Sequence, residues 1–193
     1  MAVSVKRRGD VSQGEPGEMK HDIVLHTCCA PCAGGCVEKL LSENRRVILF
    51  YSNDNLADAA EFDLRLESVR VLAEHYGLDL EVDPYDNASW LCDICGLEDE
   101  PERGKRCSRC FLHSLGKTSK FAGKFNIPYT TSLTVSPYKS SDTIFAIGRE
   151  LGNFAEYNFK KENGYLNSTR IARELGFYRQ NFCGCAMSKA KES

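Results

Sequence analysis

The stretch from His26 to Cys36 carries four cysteines within eleven residues. It follows the apolar run Ile23–Leu25 and precedes an amphipathic pattern, so it is predicted to be a turn from a strand into a helix. In an open α/β sheet, such turns lie at the carboxyl ends of the strands and line the ligand crevice. Because thiols on one turn can converge on a single object, the stretch predicts a cysteine-rich site at that edge of the sheet.

The four cysteines of this turn are not equivalent, because a free cysteine can also serve as a small core residue. Cys36 falls about one helical turn beyond Cys32, on the side expected to pack on the sheet, so we interpret it as structural. Cys28 and Cys29 are adjacent, and two adjacent thiols at a strand end fill a core poorly. Pro31 is suited to bending the turn so that both thiols face one site.

The composition is that of one globular domain, with 193 residues of which 42% are hydrophobic and 27% are charged. The net charge of −2 excludes a global basic signature for nucleic acid. An RNA partner therefore requires a local basic face.

Ten cysteines in a chain of this size indicate either a disulfide framework or metal and redox chemistry. Residues 1–20 are polar and charged and lack the apolar segment of a secretory signal, and no run is long enough to span a membrane. We therefore expect a cytoplasmic protein with no membrane partner. Structural disulfides do not persist in that compartment, so the cysteines are predicted to bind metal or to form a catalytic thiol pair.

Hydrophobic periodicity predicts alternating strands and helices along the chain. The predicted strands are 23–27, 46–51, 78–82, 129–135 and 154–159, and the predicted helices are 32–44, 58–76, a long helix from Cys107, 142–150 and 167–175. Residues 84–106 are expected to cross the carboxyl-end crevice with one short helix. The predicted fold class is α/β, a single-domain parallel sheet with helices on both faces, Rossmann-like or HUP-like. This domain spans 21–188, between a flexible N-terminal tail at 1–20 and a C-terminal tail at 189–193.

A second group of cysteines forms two CxxC pairs, Cys92 with Cys95 and Cys107 with Cys110. Alone, this spacing is a good structural zinc pattern, and one alternative is a zinc-ribbon module that binds RNA or protein without catalysis. However, Cys107 and Cys110 are expected in the first turn of a buried helix, whose dipole stabilises thiolates. Two thiols from this helix and two from the first cysteine-rich turn make four, the usual number for an iron–sulfur cluster.

The third group is Cys183-Gly184-Cys185. One intervening residue gives a tight ring if the two thiols oxidise, and glycine supplies the backbone freedom that such a ring needs. Because strained disulfides are easily reduced, we expect a redox-active pair. A structural role and a metal-ligand role remain as alternatives.

Six motifs occur in one order along the chain. They are His26-Thr-Cys-Cys-Ala-Pro-Cys32, Phe50-Tyr-Ser-Asn53, Gly96-Leu-Glu-Asp-Glu-Pro-Glu-Arg-Gly104, Arg106-Cys-Ser-Arg-Cys-Phe111, Thr130-Thr-Ser-Leu-Thr-Val-Ser-Pro137 and Tyr178-Arg-Gln-Asn-Phe-Cys-Gly-Cys185. In these motifs, which cover roughly residues 21–188, the chain resembles the epoxyqueuosine reductases of the QueH type.

The resemblance implies the reduction of epoxyqueuosine to queuosine at the wobble position of tRNAs with GUN anticodons, with electrons from a donor protein or another reductant. It implies a [4Fe-4S] cluster, no cobalamin and an additional mononuclear iron. Carried over to this sequence, the cluster ligands are Cys28, Cys29, Cys107 and Cys110, the extra iron ligand is Cys32, and the redox-active pair is Cys183 and Cys185.

Two features depart from the family pattern. Cys92 and Cys95 are additional to it, and the stretch 54–57 lacks the proline of many members. The general acid is not fixed by the motifs, and the candidates are His26, Tyr138 and Asp142. The candidate basic residues for tRNA come from the second half of the chain: Lys139, Lys160, Lys161, Arg170, Arg173 and Arg179.

Overall fold

The fold is built on a parallel sheet of four strands, as given by a computed structural model that describes residues 20–161 and 163–189. The strands are β1 (Ile23–His26), β2 (Val47–Tyr51), β3 (Asp79–Val82) and β4 (Tyr129–Thr131), in the spatial order β3-β2-β1-β4. Leu25 pairs with Leu49 on one side and with Thr130 on the other. The predicted α/β class with a parallel sheet is therefore confirmed.

Seven α-helices accompany the sheet in the described part of the chain. They are α1 (Ala30–Ser42), α2 (Ala59–Tyr76), α3 (Asn87–Asp93), α4 (Lys105–Gly123), α5 (Ser141–Leu151), α6 (Gly164–Glu174) and α7 (Ala186–Lys189), with a 3-10 turn at Ser132–Val135. The predicted N-terminal tail, up to residue 19, and residues 190–193 of the predicted C-terminal tail lie outside the described residues. No helix in the described ranges has the length and apolar character needed to cross a bilayer.

Each face of the sheet has its own hydrophobic core, because successive strand residues point to opposite faces. Ile23 and Leu25 pack against α1, α2 and α6 on one face. Val24 packs with residues of α4 and α5 on the other face. The central strands β1 and β2 are buried along their whole length, which explains their continuous apolar sequences.

Local signals set the helix ends close to their predicted positions. Asp58 caps α2 by accepting a hydrogen bond from the Glu61 N–H at 2.8 Å, and Gly77 ends the helix at a φ of 62°. Pro31 lies in the first turn of α1, where the absence of an N–H costs little. The short helix expected within 84–106 is α3.

Two strand predictions are wrong. The strand predicted at 129–135 ends at Thr131, and the chain turns into the 3-10 helix at Ser132–Val135. The strand predicted at 154–159 is reduced to an isolated parallel bridge between Tyr129 and Phe154. Because β4 is so short, it offers no edge along which residues 155–159 could pair.

Helix α6 begins at Gly164, earlier than predicted, and its backbone lies close to α1. A Cβ on Gly35 would be 2.6 Å from the Ser168 hydroxyl oxygen and 2.7 Å from the Gly164 carbonyl oxygen, so only glycine fits there. The Ser168 hydroxyl donates to the Cys32 carbonyl at 3.3 Å. The contact between α1 and α6 therefore fixes the cysteine-rich first turn of α1.

Candidate active site

A cavity of about 490 Å³ opens at the carboxyl ends of the strands, where the sequence predicted a site. Six of the ten cysteines line it: Cys28, Cys32, Cys107, Cys110, Cys183 and Cys185. They come from three distant segments, namely the turn after β1, the start of α4 and the stretch after α6. Cys29 lies beside this lining but is buried, with 1% of its surface exposed.

The first turn brings three thiols together. The sulfurs of Cys28, Cys29 and Cys32 lie within 4.8 Å of one another, and those of Cys28 and Cys29 are 3.9 Å apart. A tetrahedral ion with metal–sulfur bonds of about 2.3 Å holds its sulfurs about 3.8 Å apart. Within residues 20–161 and 163–189, this is the one such group close enough to share an ion.

Ionisation of one of the three thiols opposes ionisation of the other two, because the neighbours keep their protons to donate hydrogen bonds to the thiolate. Hydrogen bonds from Cys29 and Cys32 lower the pKa of Cys28 well below its ordinary value. The hydrogen bond to Cys28 is the largest cause that raises the pKa of Cys29, to about 12, and that of Cys32. A metal cation would stabilise all three groups as thiolates, so the donor set suits metal binding.

Polar donors outside the cysteines already contact three of the sulfurs. The Ser132 hydroxyl donates to Cys28 Sγ at 3.4 Å, and the Gln180 side-chain amide donates to Cys29 Sγ at 3.1 Å. The Arg103 backbone N–H donates to Cys107 Sγ at 3.3 Å. Such outer-shell hydrogen bonds orient metal-bound thiolates and set the redox potentials of iron–sulfur clusters.

Cys107 and Cys110 lie in the first two turns of α4 and not both in the first turn, because the helix begins at Lys105. Cys110 packs in a small apolar cluster with Trp90, Ile94 and Cys185. Burial raises the pKa of Cys110. Both cysteines face the same cavity as Cys28, although they are not close enough to join the Cys28, Cys29 and Cys32 group on a single ion.

Cys183 and Cys185 have different surroundings. Cys183 is exposed, whereas Cys185 is 8% exposed. Between them, Gly184 has a φ of 122°, and a Cβ there would lie 2.5 Å from Leu56 Cδ2. The Ala57 N–H donates to the Gly184 carbonyl at 2.9 Å, so the CxC segment is held by the loop that follows β2.

Cys92 and Cys95 lie at the carboxyl end of α3, are exposed and do not line the cavity. Among the described residues, they form no ion-sharing group with Cys107 and Cys110. The arrangement predicted by the zinc-ribbon alternative is therefore absent from the described part of the chain. Cys36 is fully buried in the core between sheet and helices, in agreement with its structural interpretation.

The lining of the cavity is strongly basic for a chain with a net charge of −2. Its charged residues are the cations Arg65, Arg103, Arg106, Lys139 and Arg179 and the single carboxylate Glu102. Arg106 is fixed by the carbonyls of Glu98 and Glu100, at 2.7 Å and 2.6 Å. Of the basic residues predicted to contact tRNA, Lys139 and Arg179 line this cavity.

Lys139 is the cation most closely associated with the thiols. Burial alone would lower its pKa, but the thiols of Cys183, Cys28 and Cys32 raise it well above the ordinary value. The lysine therefore remains an ammonium group and offsets negative charge on the sulfurs.

The other predicted basic residues are scattered. Arg179 lines the cavity, and the Lys160 ammonium donates to the Lys139 carbonyl at 2.5 Å. Arg170 pairs with Glu38 and Glu174, at 2.8 Å and 2.7 Å, away from the cavity lining. Lys161 lines a separate groove and Arg173 is exposed, so neither contributes to this cavity.

The three candidate general acids are placed differently. Burial lowers the pKa of His26, whose Nε2 is 3.1 Å from the Ser52 carbonyl and whose Nδ1 is 2.8 Å from Thr131 Oγ1. Its ring nitrogens are both engaged, so it joins the ends of three strands. Tyr138 is exposed and lines the cavity, whereas Asp142 is exposed outside the lining.

Arg65 is a cavity residue that the sequence analysis missed. It lies on the inward stripe of α2, where its guanidinium binds Glu61 at 2.7 Å and donates to the Cys183 carbonyl at 3.3 Å. In the sequence, Arg65 lies three residues after Phe62 and one before Leu66, within an apolar stripe. This position was the available signal that the side chain faces inward. Arg65 thus anchors the CxC segment to α2.

An ionic network supports α4 behind the cavity. The buried Asp54 carboxylate is 2.8 Å from His113 Nε2 and 2.5 Å from the Lys117 ammonium. His113 Nδ1 is also 2.6 Å from Asp93 at the end of α3, and Lys117 pairs with Asp83 after β3. Burial alone would raise the pKa of Asp54, but these cations lower it. The network ties the helix bearing Cys107 to the sheet and to α3.

Comparison with known proteins gives one consistent family. The family model described as Epoxyqueuosine reductase QueH matches residues 23–191. A relative of that name from Haemophilus influenzae is 31% identical over 173 residues, which are 86% of this chain and 71% of the relative. A relative of the same name from Streptococcus pyogenes serotype M1 is 32% identical over 89% of this chain and 71% of the relative. Another from Thermotoga maritima is 31% identical over 86% of this chain and 89% of the relative. The matched region contains every cysteine of the cavity.

Proposed function

Because the chain belongs to the epoxyqueuosine reductase QueH family of oxidoreductases, we propose that it reduces epoxyqueuosine to queuosine at the wobble position of tRNA. In this reaction the epoxide takes up two electrons and two protons. Both carbon–oxygen bonds of the ring break, a carbon–carbon double bond forms, and the oxygen leaves as water. We place the reaction in the cytoplasm, on tRNAs with GUN anticodons.

The observation that carries the proposal is the set of hydrogen bonds to the cysteine sulfurs. Cys28, Cys29 and Cys107 accept bonds from a hydroxyl, a side-chain amide and a backbone N–H. A thiol that only fills a core needs no polar donor, whereas metal-bound ligands are commonly oriented by outer-shell hydrogen bonds. These bonds support a metal-binding role for all three cysteines.

We assign a [4Fe-4S] cluster to Cys28, Cys29, Cys107 and Cys110, without cobalamin. The residues present fit such a group, because Cys28, Cys107 and Cys110 line one basic cavity and the buried Cys29 lies beside that lining. When bound, the cluster supplies electrons one at a time from a donor protein or reductant. Cys32, whose sulfur is close to both Cys28 and Cys29, is the candidate ligand for an additional mononuclear iron.

The protein's own side chains prepare the cavity for this chemistry. Lys139 holds a positive charge beside the thiols of Cys28 and Cys183. Cys183 and Cys185 are assigned as the redox-active pair, which cycles between a dithiol and a disulfide with the release or uptake of two electrons and two protons. Arg65 and the loop after β2 keep this pair at the cavity.

The test is an anaerobic assay of the iron-reconstituted protein on tRNA that contains epoxyqueuosine, with the product nucleosides identified by mass. We expect a product lighter by one oxygen atom and about four or more iron atoms per chain. A protein that binds zinc in place of iron and leaves the nucleoside unchanged would contradict the proposal and favour the non-catalytic binding module.

A further inference from the structure

An exposed aromatic residue and an arginine form a pair at the mouth of the cavity. Tyr138, in the loop before α5, is 69% exposed and lines the cavity. The Arg103 guanidinium carbon lies 5.7 Å from the centre of its ring. Within the described chain, the Tyr138 hydroxyl makes no hydrogen bond and the ring joins no hydrophobic core. The fold therefore does not account for an aromatic side chain at this position.

Arg103 is fixed relative to the thiols. It has a φ of 69°, a left-handed conformation that is uncommon for a residue other than glycine. In this conformation its backbone N–H donates to Cys107 Sγ at 3.3 Å. The guanidinium covers one side of the Tyr138 ring, while the large exposed fraction of Tyr138 leaves the other face accessible.

We propose that Tyr138, backed by Arg103, is a stacking platform for the base of the nucleotide next to the wobble nucleotide. The inference rests on the proposed function. A cavity of about 490 Å³ has the size of a site for one small ligand, so the modified nucleoside enters it and its neighbours remain at the mouth. Unpaired loop bases are bound in proteins by stacking on aromatic rings and guanidinium planes.

The charge at the mouth suits a nucleic-acid strand. Arg179 and Lys139 line the same cavity, and Glu102 is the single carboxylate of the lining. Phosphates on either side of the extruded nucleotide would meet this positive surface. Within residues 20–161 and 163–189, Arg179 makes no hydrogen bond or ion pair that would compete for such a contact.

The first experiment measures binding of a fluorescein-labelled synthetic anticodon stem-loop RNA with guanosine at the wobble position. We expect Tyr138→Ala to weaken binding by about 5- to 150-fold, the range seen for loss of one base–aromatic stack. Tyr138→Phe keeps the ring and is expected to bind like the wild type. Phe125→Ala is the matched control, because Phe125 is a 48% exposed aromatic residue outside the cavity lining.

The second experiment is a double-mutant cycle. The same RNA is made with an abasic nucleotide on one side or the other of the wobble position. If Tyr138 stacks on a neighbouring base, Tyr138→Ala has no further effect on one of the two abasic RNAs. Equal losses on the intact RNA and on both abasic RNAs would overturn the platform, as would wild-type affinity in Tyr138→Ala or no measurable binding by the wild-type protein.

Iron content and thermal unfolding of each variant establish that the cavity is intact. Failure of the platform and failure of the proposed function are separable. A wild-type protein that converts epoxyqueuosine in tRNA, with Tyr138→Ala binding the stem-loop normally, would refute the platform alone. A wild-type protein that binds the stem-loop through Tyr138 but leaves epoxyqueuosine unchanged would refute the reductase assignment alone.

Discussion

The side-chain amide of Gln180 donates a hydrogen bond to the sulfur of Cys29 at 3.1 Å, although the two residues are 151 positions apart in the chain. Cys29 is almost fully buried, so no solvent competes for its sulfur. The last motif of the sequence therefore acts directly on the first. A hydrogen bond to a cluster ligand stabilises the more negative, reduced state of the cluster.

Replacing Gln180 is expected to make the reduction potential of the assigned cluster more negative. If the lost bond contributes about 1 kcal/mol more to the reduced state, Gln180→Leu shifts the one-electron potential by about 40 mV. The potential is measured by redox titration of the visible absorption. Asn181→Leu is the control, because Asn181 also lines the cavity but makes no bond to a thiol in the described chain. An unshifted potential in Gln180→Leu would contradict an effect of this hydrogen bond on the assigned cluster.

Replacing any one of the four assigned ligands is expected to remove most of the bound iron and the activity together. The variants are Cys28→Ser, Cys29→Ser, Cys107→Ser and Cys110→Ser, measured by iron analysis and visible absorption after anaerobic reconstitution. Cys92→Ser and Cys95→Ser are the controls, because both residues are exposed outside the cavity. Full iron content in Cys107→Ser would contradict the assignment.

The double variant Cys183→Ser/Cys185→Ser separates a redox role from an anchoring role. A redox role predicts that turnover per folded molecule falls while the iron content is retained, whereas an anchoring role predicts lower thermal stability with unchanged turnover per folded molecule. Because Cys185 packs beside Trp90 and Ile94, Cys185→Ser alone is expected to lower the unfolding free energy by about 1–2 kcal/mol. Cys183 is exposed, so Cys183→Ser alone is expected to change it little. Wild-type turnover in a stable double variant would rule out the redox role.

The stabilisation provided by His113 is expected to decrease at high pH. Burial alone would lower its pKa, but the hydrogen bonds with Asp54 and Asp93 raise it. A raised pKa in the folded state means that the stabilisation is complete below the unfolded-state pKa of about 6.5 and is lost as the pH rises through the folded-state pKa. The difference in unfolding free energy between wild type and His113→Gln is therefore expected to be largest near pH 5.5 and to shrink above about pH 6.5.

Urea unfolding at several pH values measures this dependence. The exposed His75 provides the control variant His75→Gln, which removes an imidazole outside this network. Asp54→Asn leaves His113 and Lys117 without their shared buried carboxylate, and we expect it to lower stability by about 3 kcal/mol. A difference for His113→Gln that stays constant from pH 5 to pH 9 would contradict the prediction, because it would show that the pKa of His113 is the same in the folded and unfolded protein.

Removing the cations at the cavity mouth is expected to weaken tRNA binding and to flatten its salt dependence. If Lys139 and Arg179 each contact one phosphate, Lys139→Gln/Arg179→Gln reduces the slope of log K against log salt by about 1.4. Arg170→Gln/Arg173→Gln removes the same charge from outside the lining and should leave the slope unchanged. A change confined to the second pair would place the RNA on another face.

The sequence predicted the sheet because its signals were local. The apolar runs of β1 and β2 and the 3.6-residue period of α2 each fix one element without reference to the rest of the chain. The apolar segment at 154–159 also resembled a strand. In the structure the rings of Tyr157 and Phe159 stack on each other, with their centroids 5.2 Å apart, and these residues do not form a strand. Whether an apolar segment becomes a strand depends on a free sheet edge, which its own residues do not encode.

The cysteines could be grouped by spacing, but their partners could not be predicted. Gln180, Ser132 and Arg103 reach the thiols through the tertiary fold, and no periodicity marks a residue as a donor to a sulfur far away in sequence. The same holds for the basic face, since Arg170 and Arg179 look alike in sequence. The fold pairs Arg170 with Glu38 and places Arg179 at the cavity.

The bond between Gln180 and Cys29 also has a consequence for biosynthesis. A chain leaves the ribosome amino terminus first, so the turn with Cys28 and Cys29 and the start of α4 emerge many residues before residues 178–185. Until that late segment arrives, the sulfur of Cys29 lacks its amide donor and Arg65 lacks the Cys183 carbonyl. A nascent chain interrupted before residue 178 contains all four strands but lacks the polar contacts that close the thiol pocket.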